Sequence, residues 1–191
     1  MRDRREPARA PTVRIGRTLR RRRSVAFALL VVVVLAGLIV ADGCGWLRPP
    51  RQGDVAVYDG LVTTVTYTHD GDTIEIAAPD ATTGADTTRV RLWGVDCPEL
   101  GRDGAPDAPG AAAARDRVEA LVATGPVTLH LEPTRARGRY QRILAHVELA
   151  DGTLLNERLL AEGLARTDER WGHEHLDRYE RAEKRARATP P

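Results

Sequence analysis

An uninterrupted apolar run, Val25 to Ala41, follows a segment crowded with arginine and sets how this chain is organised. At 1.5 Å of rise per residue, its 17 residues make a helix of about 26 Å, the lower edge of what crosses a bilayer. Through Arg23 the chain holds ten arginines against Asp3 and Glu6. Cytoplasmic retention of that charge would leave everything after Ala41 on the far side of the membrane. A buried core helix is the weaker reading beside so basic a flank. The expected organisation is a basic cytoplasmic tail over 1–23, a transmembrane anchor or signal segment over 24–41, a Pro/Gly linker over 42–53, and a folded domain over 54–191. A membrane-anchored, extracytoplasmic domain is the preferred reading; cleavage and secretion is the alternative. "ADGC" before Cys44 only weakly resembles a lipoprotein signal, because Asp42 sits where a small or apolar residue belongs.

The residues after Arg23 carry 19 basic and 25 acidic side chains, a net of −6, within a chain whose total is +2. Bulk electrostatics therefore do not recruit the domain to nucleic acid. Any polyanion must be held by local arginines or by a metal. Two cysteines, Cys44 and Cys97, permit at most one disulfide and give no support for a zinc cluster.

From Asp54 onward, Val55, Val57, Leu61, Val65 and Tyr67 lie among threonines, which suits β-structure. Asp70-Gly71 is a turn signal, and Ile74 and Ile76 continue on its far side as a hairpin partner. "TRVRLWGV" reads as the next strand. A helix over about Ala111–Ala123 buries Val118, Leu121 and Val122, and Gly125-Pro126 stops it. "VTLHLE" and "RILAHVEL" are two further strands. Helices follow near Leu155–Leu164 and His175–Ala188. Five short strands with a helix between the third and fourth match an α+β domain, a five-stranded Greek-key barrel of the OB type with three helices.

Charged residues mark the ends of these strands. Asp72 alternates with Ile74 and Ile76, so its carboxylate should point inward, where an ionised acid is costly unless paired or bound to a metal. Arg91 lies within the third strand, Asp96 and Glu99 close it, and Arg142 begins the fifth. Hard oxygen ligands suit Ca²⁺ or Mg²⁺ and not zinc. Two guanidinium groups suit a phosphodiester under in-line attack. Each residue alone has a plainer reading as a turn, an ion pair or a loop cap; the combination points to metal-assisted phosphodiester hydrolysis.

"HDGDTIEI", "VRLWGVDCPEL", "RYQRILAHV" and "DGTLLNERLLAEGLAR" together resemble the staphylococcal nuclease (thermonuclease) family, over about Val62 to Ala188. The resemblance implies an OB-fold nuclease acting on DNA and RNA with a single Ca²⁺. It implies that Asp72 and Asp96 give carboxylate ligands, that Cys97 gives its backbone carbonyl, and that Glu99 activates or positions the attacking water. Arg91 and Arg142 would hold the scissile phosphate, and Asp70 would support the ligands. Cleavage at the 5′-oxygen would leave 3′-phosphate ends. A non-catalytic nucleic-acid-binding or interaction module on the same fold is the alternative. A monomer is expected, with the membrane met only through the N-terminal helix.

Three departures from the family pattern fall at four positions. Cys97 replaces a threonine or another small residue. Gln141 stands where glycine is usual before the second arginine. Glu169 and Trp171 occupy places where tyrosines flank the nucleotide. Trp171 remains suited to stacking on a base, Glu169 would repel phosphate, and Tyr140 keeps its aromatic place. Arg139, with Arg135 and Arg137, reads either as an arm on the substrate backbone or as a solvated loop. His173 and His175 are spaced so that one helix face cannot hold both, and they read as a solvated turn; His69, His130 and His146 are isolated and receive no role.

Overall fold

The computed structural model describes residues 27–40 apart from 28 and 38, residues 52–101 and residues 103–188. The chain divides into two compact units, Met1–Pro50 and Arg51–Pro191. In the first, residues 29–37 and 39–40 are helical (α1), with Phe27, Leu29 and Val33 exposed. Among the described residues no helix is long and apolar enough to cross a membrane. The basic tail over 1–23, both ends of the 24–41 segment, Cys44 and most of the 42–53 linker lie outside the described residues.

The second unit is mixed α+β. It runs α2 (Gly53–Tyr58), β1 (Val62–Thr63), β2 (Val65–Asp70), β3 (Thr73–Ile76), β4 (Thr88–Leu92), β5 (Val95–Asp96), α3 (Ala111–Val122), β6 (Val127–His130), β7 (Ile143–Glu148), α4 (Leu155–Ala161), β8 (Arg166–Thr167) and α5 (Leu176–Ala188). The β-structure expected around Val55 and Val57 is instead the short helix α2. Its Tyr58 is buried, with the hydroxyl donating to the Pro79 carbonyl at 3.1 Å, and its Asp54 is ion-paired to Arg137. Those tertiary contacts outweigh the β preference of the valines.

Six strands form one sheet in the order β1-β6-β7-β4-β3-β2, and β5 pairs with β8 separately. The two outermost strands, β1 and β2, are consecutive in the chain with only Thr64 between them. One bent run of chain thus pairs with β6 through its first half and with β3 through its second. β4 and β7 run parallel, with Arg91 opposite Leu144. Asp72, just before β3, and Ile74 and Ile76 within it are all buried as expected, but so is Thr73 between them, so the strand does not alternate strictly.

The core joins Ile74, Val90, Leu129, Ile143 and Val147 of the sheet to Val118 and Leu121 of α3 and Leu155, Leu159 and Leu160 of α4. Each such side chain contributes about 1.5–3 kcal/mol by leaving water. α3 begins after Gly110, whose φ of 90° is open to glycine without strain, and buries Ala111, Ala114, Val118 and Leu121 at helical spacing. In α4, Asn156 is fully buried. Its Oδ1 accepts from the Val147 amide at 2.9 Å, and its Nδ2 donates to the Trp93 carbonyl at 2.9 Å. Asn156 therefore ties the β4–β5 turn to β7.

Candidate active site

The β2–β3 turn is built by Asp70, whose Oδ1 accepts the Asp72 amide at 3.1 Å. This local ring turns the Asp72 side chain inward, where it is 1% exposed. Gly71 is required by close approach: a Cβ there would stand 2.7 Å from the Ala114 Cβ and 2.8 Å from the Cys97 Cβ. The turn is thereby pressed against α3 and the segment after β5.

Three partners satisfy the buried Asp72 carboxylate. Thr73 donates its hydroxyl to Oδ1 at 3.0 Å, and the Cys97 amide donates to Oδ2 at 3.0 Å. The Arg91 guanidinium forms a short ion pair with Oδ1. Arg91 also donates to Asp96 Oδ1 at 2.8 Å and to the Val95 carbonyl at 3.0 Å. On the other flank, Arg142 Nη1 donates to the Thr73 hydroxyl at 2.9 Å. A continuous chain of contacts, Arg142–Thr73–Asp72–Arg91–Asp96, thus joins three separate sequence segments. Thr73 is a link that sequence reasoning missed; its place beside Asp72 in "DGDT" was the available signal.

Glu99 lies beyond this chain and is exposed. With Thr73, Tyr140 and Arg142 it lines a cleft of about 1230 Å³ that reaches to the loop around Ala105–Pro109. A second cavity of about 310 Å³ shares Tyr140 and Arg142 with the first and adds Arg91, Arg135, Arg139 and Trp171. Here the mildly acidic domain gathers its cations. The Arg135 guanidinium lies 3.8 Å from the Trp171 ring centre, and that of Arg139 lies 4.8 Å from Tyr140. Both aromatic rings are exposed, as stacking on a base requires. Arg170 also lines this cavity but closes on Asp168 at 2.7 Å and holds that carboxyl below its usual range. Glu169 is exposed beside it.

The three departures have physical outcomes. Cys97 is a free, buried thiol, pushed up to about 12 by burial, so it stays protonated. It meets Asp72 through its backbone amide. Gln141 has φ of 61°, the left-handed conformation in which glycine is unstrained, and its carbonyl accepts from Arg137 at 2.6 Å. Arg137 is neither an arm on substrate nor solvated: it forks onto Asp54 at 2.7 and 2.9 Å and onto Asp80 at 2.8 Å with both Nη atoms. The loop presenting Arg139, Tyr140 and Arg142 is therefore anchored from within.

The expected histidine pattern also needs correction. His173 is half-buried rather than solvated, and His146 is buried; the two rings lie 5.0 Å apart, with Glu132 beside them. No sequence spacing signals this grouping, because its members come from three separate segments, the stretch after β6, β7 and the stretch before α5.

Residues 89–190 match the model of a protein family described as "Staphylococcal nuclease homologue". No curated protein matches the chain.

Proposed function

The chain belongs to the staphylococcal nuclease homologue family, and from that membership we propose that it is a Ca²⁺-dependent nuclease. It hydrolyses phosphodiester bonds of DNA and RNA with little sequence preference. The observation that carries this reading is the contact chain Arg142–Thr73–Asp72–Arg91–Asp96, whose Arg142 and Thr73 end lines the same cleft as Glu99. The closed run of strands, with both outer edges made by one bent segment, supports an OB-type barrel as the scaffold.

The donor chemistry fits a hard cation. Asp72, Asp96 and the Cys97 carbonyl offer oxygens only, and two carboxylates share one guanidinium, which leaves a negative charge to be neutralised. Bound there, Ca²⁺ supplies positive charge to the phosphate. Glu99 accepts a proton from the attacking water, and Arg91 and Arg142 hold the phosphate oxygens as negative charge grows on them. The new P–O bond forms as the bond to the 5′-oxygen breaks, and the departing oxygen takes a proton from solvent, so the products are a 3′-phosphate and a 5′-hydroxyl. Tyr140, Arg139 and Trp171 hold the flanking nucleotides. We read residues 24–41 as an anchor or signal segment that places a monomeric domain outside the cytoplasm.

One observation favours a non-catalytic binding module instead: Arg91 is already held by both acids. Incubating the full-length protein with single-stranded DNA and RNA under Ca²⁺, Mg²⁺ or chelator decides between them. The nuclease reading expects Ca²⁺-dependent cleavage to 3′-phosphate ends. It also expects Glu99→Gln and Arg142→Ala to lose about 10²–10⁴-fold in rate at unchanged melting temperature. Binding without cleavage under every ion would sink it and leave the module.

A further inference from the structure

Away from the cleft, Glu132 after β6, His146 in β7 and His173 before α5 converge. One carboxylate oxygen and one nitrogen from each ring lie within 4.8 Å of one another. His146 is 1% exposed, and its Nδ1 lies 2.8 Å from the Tyr179 hydroxyl. Its Nε2 is buried without a hydrogen-bond partner and faces Glu132 Oε1 at 3.6 Å, beyond hydrogen-bond reach. A buried polar atom left in this way is uncommon and calls for a missing partner. Water is one candidate, but the neighbouring groups are all metal ligands in their own right.

The segment "HEH" is fixed to the same place. The Glu174 amide donates to Glu132 Oε1 at 2.9 Å, and the His175 amide donates to His173 Nδ1 at 3.2 Å. His175 packs edge-on against His146, with ring centres 4.6 Å apart.

From this convergence we propose that Glu132, His146 and His173 form a site for a borderline transition-metal ion of the Zn²⁺ class, separate from the oxygen-lined cleft. Two imidazole nitrogens and one carboxylate are a zinc donor set with a fourth position open, and they do not suit Ca²⁺. The Tyr179 hydroxyl on His146 Nδ1 orients the ring as an outer partner of a metal-bound histidine does. The ion would join three segments. Glu132 leads into the loop of Arg135, Arg139 and Tyr140, and His173 follows Trp171 by two residues. It would thus brace both walls of the basic cavity. This inference does not depend on the nuclease reading.

The test is titration of metal-stripped full-length protein with Zn²⁺ by calorimetry and with Co²⁺ by visible absorption. The expected result is one equivalent bound, undisturbed by excess Ca²⁺, with Co²⁺ showing the strong absorption of a four-coordinate ion. His173→Ala and Glu132→Gln should each weaken binding by about 100-fold while circular dichroism stays unchanged. Zn²⁺ should also slow tryptic cleavage after Arg135 and Arg139. Absence of stoichiometric binding to the wild type overturns the site, as does binding that neither variant weakens. The wild-type Co²⁺ spectrum decides alone if a variant fails to fold: six-coordinate, weak absorption rejects the proposal.

Discussion

At the scale of single residues, Cys97 shows how position changes chemistry. A thiol between two acids invites a reactive reading, yet burial keeps it protonated and its amide does the binding. Native protein at pH 8 should resist iodoacetamide for hours, while denatured protein is alkylated within minutes; mass spectrometry of the Cys97 peptide distinguishes the two. Rapid alkylation of the folded chain would contradict the burial. The inward carboxylate of Asp72 was legible from its alternation with Ile74 and Ile76. Its pairing with Arg91 was not, because sequence carries no information on which of two nearby acids a guanidinium will reach.

At the scale of elements, two polar residues, one buried and one half-buried, hold the site's parts in register. Asn156 satisfies the Val147 amide and the Trp93 carbonyl, so Asn156→Ala leaves both without their partner. The expected loss is about 2–3 kcal/mol in urea unfolding, with activity falling as the β4–β5 turn loosens. Arg137 fastens the loop after β6 to α2 and to the loop before β4. Arg137→Ala leaves Asp80, only 3% exposed, as a buried unpaired charge, at a cost of about 3 kcal/mol near neutral pH. Arg137 holds the Asp80 carboxyl below its ordinary range. A depressed folded value contributes stability above the unfolded pKa of about 3.9 and loses it as pH falls through the folded value. The difference between wild type and Arg137→Ala should therefore shrink below about pH 4; a gap that persists unchanged at pH 2 would refute the pairing. The helices α3, α4 and α5 were readable from spacing and glycine stops. The helix α2 was not, since its valines favour strand and its anchors, Arg137 on Asp54 and Pro79 on the Tyr58 hydroxyl, lie elsewhere in the chain.

At the scale of the whole molecule, the order of the longer strands β2, β3, β4, β6 and β7 and of α3, α4 and α5 could be read from hydrophobic period and turn residues, while α2 and the two-residue strands β5 and β8 could not. The grouping of Glu132, His146 and His173 could not, because it assembles residues that are distant in sequence and share no motif. Charge behaves likewise. The domain is acidic in sum, and the cations at its basic cavity are few. Arg170 is closed on Asp168 and Arg135 lies over Trp171, so Arg91, Arg139 and Arg142 are the guanidinium groups that the proposed function sets against phosphate. With about three phosphates neutralised, binding of single-stranded DNA should fall with salt at a log–log slope of about −2. A slope several times steeper would mean that the basic tail over 1–23 also binds. That is measured by fluorescence anisotropy from low to physiological salt.

The bent run of β1 and β2 also sets an order of assembly. Val62 must find Thr128, and Val90 must find Ile143, before the sheet is complete. Such pairings between distant parts of the chain make folding slow relative to local hairpin formation. The β2–β3–β4 meander can form early from neighbouring residues, whereas closure waits until β6 and β7 have been made. During synthesis, the segment that carries Asp72 and Arg91 is therefore made before Arg142, and the candidate site can be complete only once β7 has joined β4.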